Sequence, residues 1–281
     1  MSGPDGLALV DKPGGITSHD AIDRVRAALG TRKVGHAGTL DPMATGLLLV
    51  GVGAATRLLR FLGDLGKVYE GTVRLGDETD TLDAEGAVTA TRPVDVTRAE
   101  VDAAAARLVG PRDQAPPAYS AVKVGGTKLY EAARRGETLA AAPRPIVVHA
   151  FEVTSFDGAD VGFRATVSSG TYVRVLAADL GADLGCGAHL ARLVRTAIGP
   201  FRLEDAAPPS APRLLPPSAA VAHLPRVELD GDEARAAAHG SILAPAGLDG
   251  PYAVVRPDGS LIGIWRDDRA KARPEVVLPV A

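Results

Sequence analysis

Cysteine is almost absent from this chain: Cys186 is the only one in 281 residues. A disulfide framework needs pairs and a thiolate metal centre needs several ligands, so neither is available, and a reducing compartment is the expected home. Cys186 itself reads as a small buried apolar residue. The six histidines, at positions 19, 36, 149, 189, 223 and 239, show no His-x-x-x-His spacing, and Asp77, Asp80 and Asp83 lack the one-three-five spacing of a calcium loop. Neither a metal nor any other cofactor is expected. Long apolar runs are missing too. The longest uncharged stretch, Pro42 to Thr56, contains three glycines and is too short to span a bilayer. The beginning, MSGPDGLALV, has no basic n-region followed by a long apolar core, so a soluble, cytoplasmic protein without a membrane partner is expected.

What is present suffices for a sizeable core, with 46% hydrophobic residues in a length that fits one large domain and a small one. The net charge of −3 argues on its face against nucleic acid. Its distribution argues otherwise. Between 77 and 102 eight acids face only Arg92 and Arg98, which predicts an acidic outer face. Between 119 and 149, Lys123, Lys128, Arg134, Arg135 and Arg144 outweigh Glu131 and Glu137, leaving local positive surface.

Periodicity predicts a strand over Leu7–Val10, then a helix with Ser18 as N-cap, Ile22, Val25 and Leu29 on one face and Gly30 past its end. Gly46–Val50 is strand-like and Thr56–Leu62 amphipathic. Tyr69, Gly71, Val73 and Leu75 alternate with polar residues as in a half-buried strand. Gly125-Gly126 marks a hairpin, and 129–135 fits a short basic helix. Strands are predicted over 146–156 and 161–167, and a helix over 172–184. Six prolines between 206 and 226 interrupt regular structure and set a boundary, beyond which a short helix (232–239), a hairpin (252–265) and a strand (275–280) form a small β module. The fold class is a mixed α/β (α+β) domain with an extended, largely antiparallel sheet and flanking helices.

The segment Gly35-His36-Ala37-Gly38-Thr39-Leu40-Asp41-Pro42 has the make-up of a site. Gly35 and Gly38 permit positive φ and close approach of a ligand, while Pro42 turns Asp41 away from helical geometry. Taken alone, an Asx-turn explains it as well.

Four blocks change that balance: DKPGGITS (11–18), GHAGTLDPMATG (35–46), YEGTVRLGDETDTLDAEG (69–86) and GTYVR (170–174) running on to LGCGAHLARLVRT. Over nearly its whole length the chain resembles the bacterial TruB family of tRNA pseudouridine-55 synthases. The stretch YSAVKVGGTKLY (119–130) is similar to that family's RNA-gripping thumb. The resemblance implies a pseudouridine-synthase-type catalytic domain over 1–225 with a thumb-like insertion at 119–149, and a PUA-like RNA-binding domain over 226–281. It implies isomerisation of uridine 55 in the T loop of tRNA by a monomer that needs no guide RNA. It makes Asp41 the essential aspartate, paired with Arg174, and Tyr69 the platform for the flipped base, whose phenol can also serve in C5 proton removal. Tyr172 and Leu193 match residues of the uracil pocket, His36 an RNA-contacting histidine, and Lys12 with Pro13 a brace for the loop. Lys123 and Lys128 lie on the thumb. Two routes, attack of Asp41 on C1′ or abstraction of a ribose proton, both need its ionised form. In one place the chain departs from the family: Val194 stands where an arginine is common. Two other readings compete. Gly51 to Thr56 nearly matches the dinucleotide fingerprint but fails at its third glycine, and the same thumb and tail could serve a tRNA-folding chaperone without chemistry.

Overall fold

The computed structural model describes residues 3–137 and 139–279. Met1 and Ser2, Thr138 of the thumb segment, and Val280 and Ala281 beyond the last strand lie outside the described residues. The chain opens with β1 (Gly6–Lys12) and α1 (Ser18–Leu29). Thr17, one residue before the expected cap, closes the N-terminus in a capping box with Asp20, and Gly30 ends the helix at φ 62°. Ser18 is freed for another task.

Strands β2 (Val34–Ala37) and β3 (Thr45–Val52) follow, antiparallel to each other. The supposed dinucleotide turn then opens a 3-10 helix, Gly53–Leu62. Gly53 adopts φ 59°, and a Cβ there would run into the Asp5 carboxylate and the Pro4 carbonyl. Asp5 accepts the Ala54 amide at 2.6 Å, so the chain's own carboxylate sits where a phosphate would have to lie. That geometry is incompatible with the fingerprint.

The middle of the chain supplies β4 (Lys67–Leu75), a side ribbon of β5 (Asp77–Thr79) and β6 (Val88–Thr91), α2 (Arg98–Leu108) and β7 (Gly110–Gln114). The hairpin expected at Gly125-Gly126 is β8 (Lys123–Val124) and β9 (Thr127–Lys128), followed by α3 (Leu129–Arg134). Next come β10 (Arg144–Phe156), β11 (Asp160–Val167), α4 (Val173–Asp183), β12 (Ala188–Ile198), β13 (Phe201–Arg202) and β14 (Leu214–Leu215). These strands build one ten-stranded sheet in the order β14-β1-β3-β12-β4-β11-β10-β7, with β2 beside β3 and β13 beside β12. Among the described residues its only parallel pair is β3 with β12. Strand β12, which periodicity does not reveal, is therefore central: it joins the strand after the Asp41 loop to the strand carrying Tyr69.

Helices α2 and α4 cover one face of this sheet, with Val101, Ala104, Leu176 and Leu180 packed on Val73, Phe163 and Leu190. Helix α1 packs through Ile22 and Val25 on Val10 and Val50. A second sheet, β15-β16-β17-β18, forms from Arg226–Glu228, Pro251–Val255, Leu261–Asp268 and Lys271–Val277, with α5 (Gly231–Ala238) beside it. It is no loose tail. Val255, Ile264 and Val276 share one apolar cluster with Leu58 and Leu62 of the 3-10 helix and with Leu7, Leu47 and Leu49. At the rim Arg60 pairs with Glu275 at 2.6 Å, and Arg57 donates to the Val277 carbonyl at 2.6 Å.

Continuity of that cluster is expected to make the two sheets unfold as one cooperative unit. Leu58→Ala, at a fully buried position of this cluster, is expected to cost about 2–5 kcal/mol and to shift a single urea transition. Two transitions, only one of them shifted, would show instead that the sheets unfold independently.

Candidate active site

The Asp41 loop lies between β2 and β3, and the backbone departs from the sequence reading at its start. Gly35 is an ordinary strand residue, while Gly38 alone of the two takes positive φ, at 80°. Ser18 straps the loop from α1: its hydroxyl accepts the Leu40 amide at 2.9 Å and donates to the Leu40 carbonyl at 3.1 Å. Lys12, fully buried, donates to the carbonyls of Ile16 (2.7 Å), Pro13 (3.0 Å) and Pro42 (3.3 Å). An ammonium has three protons, so the geometry gives Lys12 the brace and leaves no N–H for a substrate. Burial lowers its pKa against the pull of Glu85 and Asp41.

Arg174 stands in the first turn of α4, where a solvent-facing arginine would be ordinary, yet it is buried. Nη2 lies 3.5 Å from Asp41 Oδ2 and donates to the Tyr119 carbonyl at 2.7 Å. Nη1 lies 3.3 Å from Asp83 Oδ2 and from the Thr81 carbonyl. The charge of its neighbours places Asp83 on an acidic outer face; the fold corrects this, since its exposure is 2%. Its Oδ1 accepts the Thr81 hydroxyl at 2.6 Å and the Glu85 amide at 3.1 Å, in a reversal where Leu82 takes φ 65°. The other acids of that run are partly or fully exposed.

Asp41, with 39% of its side chain exposed, is open on one side while its partners are not. The walls still desolvate the carboxylate, and this raises its pKa; Arg174 opposes the rise, Asp83 adds to it and Lys12 opposes it again. Glu85 stands close enough to feel both acids, and burial followed by repulsion from Asp83 and Asp41 raises its pKa too. Tyr69 and Leu193 are buried in one cluster with Leu40, Ala44 and Val173. Tyr172 is the N-cap residue of α4, and Gln114 holds its backbone at both ends, accepting from its N–H at 2.7 Å and donating to its carbonyl at 3.1 Å. The Arg174 guanidinium lies 6.0 Å from the Tyr172 ring.

His36 sits on β2 with its Nδ1 buried and unpartnered. Burial, then Arg195 and His19, lower its pKa, so the imidazole is neutral at physiological pH. Lys123 and Lys128 face each other across the thumb hairpin; no hydrogen bond or ion pair among the described residues joins either to Asp41 or Arg174. Lys123 is exposed, whereas Lys128 donates to the Tyr130 hydroxyl at 3.0 Å and lies 3.5 Å from Glu131. This segment reaches the site through the Tyr119 carbonyl instead. Sequence reasoning misses Asp83, Gln114, Ser18 and Glu85 as site residues: it reads Ser18 as a helix cap and the acids as an outer face, and Gln114 carries no local signal.

A family model described as TruB family pseudouridylate synthase, N-terminal domain, matches residues 26–173. Models for a tRNA pseudouridylate synthase B C-terminal domain and for the C-terminus of tRNA pseudouridine synthase II match 174–208 and 224–279. This chain belongs to the TruB family. It is 48% identical to tRNA pseudouridine synthase B of Thermobifida fusca, over 97% of this chain and 98% of that one. With the enzyme of the same name from Aromatoleum aromaticum it shares 49% over 94% and 89%. The TruB chain also shares its fold with the archaeal box H/ACA Nop10–Cbf5 complex, at a TM-score of 0.73 and 26% identity, covering 98% of this chain and 86% of that one.

The departure of this TruB chain at Val194 lies away from the site. Leu193 and Arg195 are buried on one face of β12, so the strand's alternation turns Val194 to the other, in register with Glu70. There Glu70 pairs with Arg164 at 2.9 Å. Among the described residues no cluster of His, Cys, Asp and Glu could hold a metal, and no helix is long and apolar enough to cross a membrane.

The raised pKa of Asp41 fixes a sign. Its folded value lies above the unfolded one, so the ionised side chain costs the fold stability near neutral pH, and stability is recovered as pH falls through the folded value. Asp41→Asn is therefore expected to melt no lower than wild type at pH 7. Asp83→Ala should lose about 3–5 kcal/mol, because it strips a buried guanidinium of its inner partner. Thermal and urea unfolding of both variants check this; an Asp41→Asn protein clearly weaker than Asp83→Ala would reverse the assignment of the two carboxylates.

Proposed function

We propose that this chain converts uridine 55 in the T loop of tRNA to pseudouridine, in the cytoplasm, as a monomer and without a guide RNA. The observation that carries the reading is the half-open Asp41 carboxylate held 3.5 Å from a buried guanidinium, on a loop whose Leu40 shares one apolar cluster with Tyr69 and Leu193. The isomerisation breaks the bond from ribose C1′ to uracil N1, retains the base, joins C1′ to C5 and moves the C5 proton. Nothing is oxidised or reduced, and no cofactor enters the balance.

A uridine within a stacked loop must leave the stack to reach such a pocket. Flipping costs a few kcal/mol, and stacking on one aromatic face returns about 1–3 kcal/mol. Tyr69 is the platform in this proposal, with Leu193 and Tyr172 as pocket walls and His36 against the RNA. Asp41 acts on the ribose as nucleophile or base; Arg174 favours its ionised form against the desolvation that opposes it. Residues 1–225 are the catalytic part, 119–149 the thumb and 226–281 the PUA-like RNA-binding part. The relatives named tRNA pseudouridine synthase B support the tRNA substrate.

Mapping pseudouridine in tRNA transcripts incubated with the purified protein alone tests reaction, position and guide independence together. Product at uridine 55 is expected from wild type and none from Asp41→Asn, with RNA affinity retained within severalfold. Appreciable single-turnover product from that variant would sink the role of Asp41, and dependence on an added RNA would sink the guide-free reading.

Affinity should fall with salt despite the net charge of −3. Lys123→Gln, at an exposed hairpin position, is expected to reduce the log–log salt slope by ~0.7 to 0.9 if it holds one phosphate. Lys128→Gln should change it less, because that ammonium already faces Glu131 and Tyr130. Equal slopes for wild type and Lys123→Gln would make Lys123 merely solvated surface.

A further inference from the structure

Arg195 is 1% exposed and among the largest fully buried side chains of the protein. A guanidinium taken out of water normally meets a carboxylate. This one donates only to backbone carbonyls: Nε to Leu47 at 2.7 Å, Nη2 to Gly38 at 2.9 Å and Nη1 to Thr39 at 3.4 Å. Two of the three belong to the loop that ends in Asp41. Beyond them the Leu40 carbonyl is taken by Ser18, the Asp41 carbonyl by the Ala44 amide at 3.1 Å, and the Pro42 carbonyl by the Gly15 amide at 2.9 Å and by Lys12. Every carbonyl from 38 to 42 is thus held, and Arg195 holds the two that precede Leu40 and Asp41.

The same residue is tied to the rest of the site through its backbone. On β12 it stands opposite Tyr69 of β4 and Gly46 of β3, two positions beyond Leu193 and on the same face. Its guanidinium and the buried Lys67 flank Gly38: a Cβ built there would lie 3.6 Å from Arg195 Nη1 and from Lys67 Cε. Lys67 in turn donates to the carbonyls of Gly63 at 3.2 Å and Leu65 at 2.8 Å. Neither cation has a carboxylate among its hydrogen-bond partners, so each is spent on the shape of the backbone.

We propose that Arg195 is a positioning residue for this reaction: by fixing the Gly38 and Thr39 carbonyls to the strand that carries Leu193 and lies against Tyr69, it sets where the Asp41 carboxylate stands relative to Arg174. It touches neither substrate nor reacting atoms. Lysine is a poor substitute, since a point charge does not reproduce a planar fork that spans three carbonyls.

The inference rests on the proposed reaction, so its test has one readout that does not. Arg195→Gln is expected to lower the single-turnover rate at saturating tRNA transcript by roughly 100-fold, the scale of a misplaced catalytic group, while the dissociation constant stays within severalfold. Arg195→Lys should fall between. The acid limb of the rate profile should move to higher pH in both, because a loosened Asp41 feels less of Arg174; a loss of stability alone would leave that limb in place. Independently of chemistry, amide hydrogen exchange over residues 38–44 should speed at least tenfold, with β4 unchanged. If Arg195→Gln does not fold, Arg195→Lys carries the same criteria. Wild-type rates, or unchanged loop exchange, in a folded variant overturn the proposal. Absence of pseudouridine from the wild type, with the exchange result as expected, would overturn the reaction and leave the positioning role standing.

Discussion

Taking the Arg174 guanidinium out of water costs several kcal/mol, and much of the surrounding chain is arranged to offset that cost. Asp83 is its inner partner at 3.3 Å, with the Tyr119 and Thr81 carbonyls taking further N–H groups. Asp83 is itself fixed by a hydroxyl and an amide in a reversal that includes a leucine at φ 65°, a conformation that L side chains tolerate poorly and that persists only where its surroundings impose it. The pair is complete without Asp41. Asp41 therefore meets a guanidinium already engaged elsewhere, at 3.5 Å and through one oxygen. A tight bidentate clamp would neutralise the carboxylate and make it a weak nucleophile and a weak base. Here the contact is enough to oppose protonation without quenching the group.

That arrangement also ties distant segments to one point. The thumb enters through the Tyr119 carbonyl, the acidic ribbon through Asp83, the loop through Asp41, and α4 through Arg174 itself. Gln114 on β7 sets the start of α4 by occupying both backbone groups of Tyr172, which otherwise has no side-chain cap. A displacement of any of these segments reaches the carboxylate through a few polar contacts in a poorly hydrated setting, where each is stronger than in water.

Which of these features a linear reading finds depends on whether the signal is local. Asp41 is legible because Gly38 and Pro42 constrain the backbone on either side of it. The alternation from Tyr69 to Leu75 gives β4, and Gly125-Gly126 gives the thumb hairpin. Cap placement at α1 fails by one residue because Thr17 and Ser18 are both good caps; the reciprocal partner, Asp20, stands three residues after Thr17, and that spacing decides it. Helix α2 carries the same capping box, Thr97 with Glu100, and apolar residues at 101, 104, 105 and 108, a signal hidden beneath its charge. Strand β12 has no such signal: Arg192 and Arg195 break its apolar alternation, one in solvent and one buried. Charge sign says nothing of depth. Asp83 lies in an acidic run yet is the one member drawn inside, and only its place opposite Arg174 in the folded chain explains it.

The same distinction between sign and setting bears on how a chain with net charge −3 grips a polyanion. Much of its positive charge stands on the surface in contact with acids, as in Arg135 with Glu137 at 2.8 Å on the thumb and Arg164 with Glu70 at 2.9 Å. Exposed pairs of this kind are worth only about 0–1 kcal/mol. A phosphate that displaces the carboxylate costs little, since a phosphodiester carries the same single charge, while the freed acid returns to water. Net charge then sets the long-range attraction, which is weak here, but short-range binding depends on cations that can change partners. The buried cations cannot: Lys12, Lys67, Arg174 and Arg195 are committed to carbonyls and carboxylates inside. Division of labour by depth lets the buried cations hold the site's shape while those at the surface stay free to change partners.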